Sequence, residues 1–257
     1  MTGLSVPILV LLGVIGLAGG IGITAVGPGG VLPTIGLFAL TSLPPAQVAG
    51  TAIVTHIATG ALGTAAYARS GQLRAPETRR TATILAGAAV VGVPVGVLTN
   101  TLVSKRAFGV VLGMFVAGAA ILVWYRETRP PVGKAAHPRA AVVACLGFAI
   151  AVVAGIVGIG GPMLAVPLLV ALGVPVLDSL ASAQAQSIVI ATAGSAAYLA
   201  AGSVDWPLAA LVGIPELAGV LVGWQIARAL PTRRLKHILI ATLLAVAPYV
   251  AWSSSAK

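Results

Sequence analysis

Long apolar runs separated by short polar loops fill almost the whole chain. Ten such segments can be drawn, at residues 5–26, 30–43, 46–68, 79–100, 105–125, 139–157, 161–173, 180–201, 206–227 and 235–252. Most are long enough to cross about 30 Å of hydrocarbon as an α-helix. Segments 30–43 and 161–173 are too short for this, and we predict that they are half-helices buried among the longer ones.

A glycine-rich interruption precedes each short segment. Residues 27–33 have the sequence GPGGVLP, and residues 158–164, which lie 131 positions later, have the sequence GIGGPML. Glycine frees the backbone and proline removes amide donors, so both clusters should break a helix. Because an unpaired backbone group in lipid costs several kcal/mol, such breaks survive only inside protein or beside a water-filled cavity. Paired breaks favour a transporter whose binding site lies between them.

The two halves of the chain align without a gap at this offset of 131 residues. Residues 27–73 share 12 identities with their partners over 47 positions, among them glycines, a proline and the pair Tyr67 and Tyr198. Chance matches between two apolar sequences would not place glycine, proline and tyrosine at equivalent positions in both halves. We therefore predict a duplication, with a first repeat at 1–125, a cytoplasmic linker at 126–138 and a second repeat at 139–257.

The basic residues indicate how the two repeats are oriented. Arginine and lysine are concentrated in the loops 69–80, 126–139 and 228–236, which follow the third, fifth and ninth segments. If all ten segments change sides, these loops share one face, and the positive-inside rule places them in the cytoplasm with both termini outside. Each repeat then crosses an odd number of times, so the repeats are inverted. In the alternative, the short segments dip in and out, each half crosses four times and the loop 228–236 lies outside.

The composition agrees with a polytopic membrane protein. Apolar residues make up 58% of the chain and charged residues only 8%, against about 25% charged residues in soluble domains. The net charge of +10 comes from short loops near lipid head groups, which argues against nucleic-acid binding. The one cysteine, Cys145, excludes an internal disulfide and a cysteine metal cluster. Since the sequence contains no catalytic or nucleotide-binding motif, we expect neither an enzyme nor a cofactor or metal site.

The glycine clusters are candidates for binding an anion. A half-helix that begins at Gly29 or Gly160 would leave its first amides unpaired, and those amides and the helix dipole favour negative charge. Each following helix adds hydroxyl or amide side chains. The candidate substrate-binding residues are Gly27, Gly29, Gly30, Thr51, Thr55, Gly158, Gly160, Gly161, Ser182, Gln184 and Gln186. The alternative is that the glycines serve close helix packing and the hydroxyls bond to their own helix.

Two titratable side chains lie inside predicted membrane segments. His56, which aligns with Ser187, could exchange a proton near neutral pH. Glu216, which aligns with Leu85, is a carboxylate within a span and therefore a functional candidate. We predict that His56 and Glu216 couple proton movement to anion movement. The alternatives are a neutral packing histidine and a carboxylate that caps amides freed by Pro215.

Further motifs recur beside the glycine clusters. They are GIGGPMLAVP at 158–167, GTA at 50–52, ASA at 181–183, Tyr67 with Gly71, and Tyr198 with Gly202. With these motifs the chain resembles the TauE/SafE family of sulfite and organosulfonate exporters over nearly its whole length. The first glycine cluster departs from the family pattern at Pro28 and Thr34. The two halves of the site therefore need not be equivalent.

The resemblance implies a bacterial inner-membrane permease for small sulfur-containing anions such as sulfite or sulfoacetate, with export as its direction. We therefore expect an all-α polytopic membrane protein with two inverted repeats of about five membrane segments each. Its expected partners are a small anion and membrane lipids, with no nucleic acid, and homo-oligomerisation stays open. A passive anion channel and a non-transporting membrane scaffold are the alternative functions.

Overall fold

The computed structural model describes residues 4–104 and 138–231, together with scattered residues between 106 and 121 and the single residues 234 and 241. The two continuous parts form α-helices and two short 3₁₀ turns. The helices are α1 (Val6–Ala25), α2 (Val31–Leu40), α3 (Pro45–Arg69), α4 (Pro76–Asn100), α5 (Ala140–Val157), α6 (Pro162–Ala171), α7 (Val176–Ala200) and α8 (Trp206–Ala229).

These helices correspond to eight of the ten apolar segments. Segment 105–125 is described only in part, at residues 106–111, 113–114, 117–118 and 121, and segment 235–252 only at residue 241. By length and composition, α1, α3, α4, α5 and α8 can cross a membrane, whereas α2 and α6 are short apolar helices of 10 residues each. The expectation of an all-α polytopic membrane protein is therefore confirmed for the described part of the chain.

Proline explains why some helices begin earlier than their hydropathy predicts. Pro45 and Pro76 occupy the first turn of α3 and α4, and Pro175 directly precedes α7. The first turn of a helix does not use its amides, and the fixed φ of proline suits that position. As a result α4 begins at residue 76 rather than 79, and α7 at 176 rather than 180.

The two sequence repeats interlock instead of forming separate bodies. Helix α1 packs along α8, and α5 packs along α4, so each of these pairs takes one helix from each repeat. Helices α3 and α7 cross between the pairs and contact each other, with α8 beside α3 and α4 beside α7. The same arrangement of contacts therefore results when every helix is exchanged for its partner in the other repeat.

Glycine allows the α1–α8 pair to pack with touching backbones. A Cβ added at Gly16 or Gly20 would overlap the main-chain carbonyl groups of Val212 and Glu216, respectively. Residue numbers rise together along the two helices, so α1 and α8 are parallel. Small residues at such positions are typical of helix interfaces in membranes, where van der Waals contact replaces the hydrophobic effect.

The α4–α5 pair repeats this design. Gly96 faces the carbonyl of Val152, and Gly155 faces the carbonyl of Val93, each without room for a Cβ. These two helices are also parallel, since Gly147 contacts Leu85 in the first half of both and Gly96 contacts Val152 further along both.

The central helices α3 and α7 run antiparallel. Gly63 packs against the Gln184 side chain, whereas Gly194 packs against Ile53. The residue number therefore rises on one helix as it falls on the other. Helices α3 and α7 occupy equivalent places in the two repeats, and they point in opposite directions.

We expect Gly96→Ala to destabilise the protein, because the added methyl group would enter the α4–α5 interface. Overpacking of this kind costs about 1–3 kcal/mol. The matched control is Gly87→Ala in the same helix, where a Cβ meets nothing within 4 Å. Alanine there should leave stability unchanged or raise it by up to about 1 kcal/mol. Thermal unfolding in detergent, followed by helical circular dichroism, checks both, and equal melting temperatures for the two variants would contradict the interface.

Candidate functional site

The helix is broken at both predicted places. Helix α1 ends at Ala25, and Gly27, with φ 107°, leads into a 3₁₀ turn at Pro28–Gly30 before α2 begins. Helix α5 ends at Val157, and Gly158, with φ 74°, leads to α6. Both breaks are buried in the protein, in agreement with the rule that irregular backbone at membrane depth needs protein or water around it.

The two breaks lie against each other. A Cβ at Gly27 would stand 2.9 Å from the carbonyl oxygen of Pro162 and from the Val166 side chain. The hydroxyl of Thr34 on α2 donates to the carbonyl of Gly158 at 3.1 Å. Gly27 therefore combines a positive φ with contacts that exclude any side chain, and the first repeat meets the second at this point.

Side chains from other helices satisfy the carbonyls that the first break frees. Gln184 Nε2 donates to the carbonyl of Ile23 at 3.0 Å, and the Tyr67 hydroxyl donates to the carbonyl of Thr24 at 2.6 Å. Both donors are fully buried. A buried carbonyl left without a partner costs about 1–3 kcal/mol, so these two bonds stabilise the end of α1.

The carbonyls that the second break frees also accept hydrogen bonds from side chains of other helices. The Tyr198 hydroxyl donates to the carbonyl of Gly155 at 2.7 Å, and Asn100 Nδ2 donates to the carbonyl of Ile156 at 2.6 Å. Tyr198 and Gly155 are the alignment partners of Tyr67 and Thr24, so the tyrosine bond occurs once per repeat. This explains why tyrosine recurs at the offset of 131 residues.

His56 lies where α3 passes both breaks. Its Nδ1 is 2.8 Å from the carbonyl oxygen of Ala52, and its Nε2 is 3.2 Å from the carbonyl oxygen of Gly30. A Cβ at Gly160 would stand 3.0 Å from the ring atom Cδ2. The imidazole is fully buried and touches the first residues of both half-helices.

Glu216 comes from α8 to meet His56. Its Oε1 is 3.5 Å from His56 Nε2, and its Oε2 accepts a hydrogen bond of 2.6 Å from the Thr55 hydroxyl. Neither His56 nor Glu216 is exposed. The two proton-coupling candidates, 160 residues apart in sequence, are therefore in contact, and Thr55 orients the carboxylate.

Ser187 lies beside the second break but is not among the substrate-binding residues predicted from the sequence. Its hydroxyl is buried and forms no hydrogen bond with the described residues. It lies 2.7 Å from the place where a Cβ on Gly160 would stand. The sequence signal for it was its alignment with His56, since the two occupy equivalent positions on α3 and α7.

Thr51 and Ser182 bond to the start of the long helices that follow α7 and α3, respectively. Thr51 accepts from the amide of Asp205 at 2.9 Å, and Ser182 donates to the carbonyl of Thr78 at 3.2 Å. Neither hydroxyl has a hydrogen bond to a residue of the glycine clusters within the described part of the chain. Each ties a central helix to the start of the neighbouring long helix.

The two glutamines do not face each other. Gln184 donates to Ile23 as described, and Gln186 Nε2 donates to the carbonyl of Gly147 at 3.2 Å. The Gln186 Oε1 has no partner among the described residues and lies beside Gly161. In this conformation the NH₂ groups of both glutamines are engaged by main-chain carbonyls.

Main-chain amides at the breaks remain available as donors. None of the hydrogen bonds formed among the described residues uses the N–H of Gly29, Gly160 or Gly161. Gly29 and Gly160 are alignment partners, so the two breaks agree in this respect. Within the described residues, no group of three or more His, Cys, Asp or Glu side chains could hold a metal ion.

One comparison with known proteins gives a match. The family described as "Sulfite exporter TauE/SafE" matches residues 11–250 of the 257. No curated protein and no solved structure matches the chain.

We expect Tyr67→Phe and Tyr198→Phe each to lower stability by about 1–3 kcal/mol, because each leaves a buried carbonyl without its donor. Thr99→Val is a suitable control, since this exposed hydroxyl bonds to Val95 of its own helix. Thermal unfolding in detergent measures all three. Tyrosine variants as stable as the wild type would mean that the freed carbonyls are satisfied in another way.

Proposed function

The chain belongs to the sulfite exporter TauE/SafE family, and we propose that it is a secondary transporter which carries a small sulfur oxyanion, sulfite or an organosulfonate, across the bacterial cytoplasmic membrane. The coarse assignment, a multi-pass membrane protein of a transporter family, follows from the family match and the apolar helices. The observation that carries the proposal is the meeting of two buried helix breaks beside the His56–Glu216 pair.

The proposed anion site lies at the start of the two half-helices. Unused amides at Gly29, Gly160 and Gly161 and the positive ends of α2 and α6 are suited to an oxyanion. The other glycines of the clusters, Gly27, Gly30 and Gly158, allow the backbones to approach. Thr55 contributes by its hydrogen bond to Glu216. Gln184 and Gln186 contribute by bonding to main-chain carbonyls. Thr51 and Ser182 support the ends of α3 and α7.

We further propose that the repeats have inverted topology. This proposal is supported by the antiparallel packing of α3 and α7. It is also supported by the pattern of helix contacts, which stays the same when each helix is replaced by its partner from the other repeat. The basic loops then place the cytoplasm on the side of residues 69–80, with both termini outside.

Alternating access would move interlocked helix pairs rather than whole sequence repeats. The α1–α8 and α4–α5 interfaces have touching backbones and join helices of both repeats. Separating them would expose glycine backbone, whereas a shift of one pair against the other about α3 and α7 would leave both interfaces intact.

His56 and Glu216 are the proposed proton-coupling residues. They are in contact across two helices, and the Nε2 of His56 reaches the carbonyl of Gly30 at the first break. A proton that binds to the pair or leaves it therefore changes the charge beside the proposed anion site. Intramembrane ionisable residues in such positions commonly serve proton relays.

The direct test is flux in proteoliposomes. We expect saturable uptake of labelled sulfite or methanesulfonate that depends on an imposed gradient, with no uptake of a cation such as choline. Non-saturable anion flux that a proton gradient cannot drive uphill would favour the passive channel. Absence of flux for every anion in the panel, under any gradient, would contradict transport and favour the scaffold.

The coupling proposal predicts that Glu216→Gln abolishes the effect of a pH gradient on the initial rate of anion uptake while anion exchange persists. The amide keeps the shape of the side chain but cannot ionise. Glu77→Gln makes the same chemical change at an exposed position at the start of α4 and should behave as wild type. His56→Ala should also lose pH dependence. A Glu216→Gln protein whose rate responds to the pH gradient as wild type does would remove Glu216 from the coupling mechanism.

A further inference from the structure

The start of α6 carries hydrogen-bond donors that nothing in the described structure uses. Ser187 is fully buried, its hydroxyl has no partner, and it lies beside Gly160. The amides of Gly160 and Gly161 likewise have none. Two main-chain N–H groups and one O–H group at the positive end of a helix of 10 residues form a set of donors for an oxyanion.

The hydrogen-bond partners of His56 indicate how the nearby pair is charged. Its two ring nitrogens face the carbonyls of Ala52 and Gly30 and the carboxylate of Glu216, all of which are acceptors. A neutral imidazole has only one N–H, so one nitrogen would direct its lone pair at acceptors. A second proton on the pair, carried either by His56 Nε2 or by Glu216 Oε1, lets one of these two groups donate to the other. The pair then has a formal charge of zero.

Other charges at the centre are scarce. In the described helices arginine occurs only near the ends, at Arg69, Arg79, Arg80 and Arg228. The buried tyrosines, Tyr67 and Tyr198, donate to main-chain carbonyls. Glu216 is the charged group that faces His56, while α2, α6 and α7 present main-chain atoms and the neutral Ser187 to it.

The positive potential at the site therefore comes mainly from the two helix ends. Each helix N-terminus is equivalent to roughly half an elementary charge, so α2 and α6 together supply at most about one. A monoanion is compensated by this charge. A dianion would keep about one negative charge uncompensated in a buried place, which costs several kcal/mol.

From these observations, and resting on the proposed transport function, we infer that Ser187 and the start of α6 form an oxyanion site selective for monoanions. The transported species is hydrogensulfite or a sulfonate with a single negative charge, and the sulfite dianion and sulfate are rejected. Ser187 is the side chain that donates to the bound anion.

The charge selectivity is tested with sulfite and methanesulfonate in proteoliposomes, at equal pH on both sides. Methanesulfonate is a monoanion throughout, so its flux reports any pH dependence of the protein itself. The ratio of sulfite to methanesulfonate flux should fall about tenfold per pH unit above the second ionisation of sulfurous acid, as hydrogensulfite disappears. Sulfate should not compete with methanesulfonate.

A flux ratio that stays constant through that ionisation, or sulfate that competes as well as sulfite, would overturn monoanion selectivity while the transport function stands. If neither sulfite nor methanesulfonate is carried, transport itself fails, and the inference fails with it.

The role of Ser187 is tested by Ser187→Ala with Ser195→Ala as the control. Ser195 is also buried on α7 with an unpartnered hydroxyl, two turns further along the helix. Loss of a hydrogen bond to a charged group is worth about 1.5–3 kcal/mol, so Ser187→Ala should raise the half-saturating methanesulfonate concentration at least about tenfold. Melting temperatures should not change, since the hydroxyl has no partner among the residues that the structure describes. Equal half-saturation in the two variants would exclude Ser187 from the site.

Discussion

A main-chain carbonyl freed by a helix break in the membrane needs a donor from the protein, and this constraint determines the structure around the breaks. Gln184 and Tyr67 supply the donors at the end of α1, and Asn100 and Tyr198 supply them at the end of α5. These donors reach the breaks only if α3, α4 and α7 pass close by. The glycine interfaces bring the helices to that distance, which is why the polar helices are central and the apolar ones peripheral.

The internal alignment separates residues that support the fold from residues that carry charge. Identical partners, such as Tyr67 and Tyr198, perform the same task in both repeats. The central polar residues differ between the repeats: His56 aligns with Ser187, both of which lie beside Gly160, and Glu216 aligns with Leu85. The alignment therefore matches each member of the ionisable pair with a neutral residue, so the proposed proton coupling would use one pair rather than two.

Local sequence patterns were sufficient to predict the breaks and most helices, because glycine, proline and hydropathy act within a few residues. The roles of the polar side chains depend on neighbours far along the chain. The substrate-binding role of Gln184 stays a prediction, whereas the bond from its NH₂ group to Ile23, 161 residues away, could not be predicted from the local pattern. Thr51 shares a helix face with Thr55, but helical periodicity does not show which neighbour that face meets. Contact between His56 and Glu216 likewise depends on how α8 packs against α3.

The position of the ionisable pair relates proton binding to movement of the helices. Glu216 lies on α8, whose backbone is fixed to α1 through Gly20, whereas His56 lies on α3 and touches the first break. The contacts from His56 and Thr55 to Glu216 therefore cross between a central helix and an outer pair. If that pair shifts against α3, these contacts change together with the Tyr67 bond to Thr24 of α1, while the glycine interface between α1 and α8 stays intact. In the proposed mechanism, the charge of the His56–Glu216 pair and an anion bound beside it would both change the energy of this shift of α1 and α8 against α3. Proton binding and anion binding would then be coupled, because both act on the same movement.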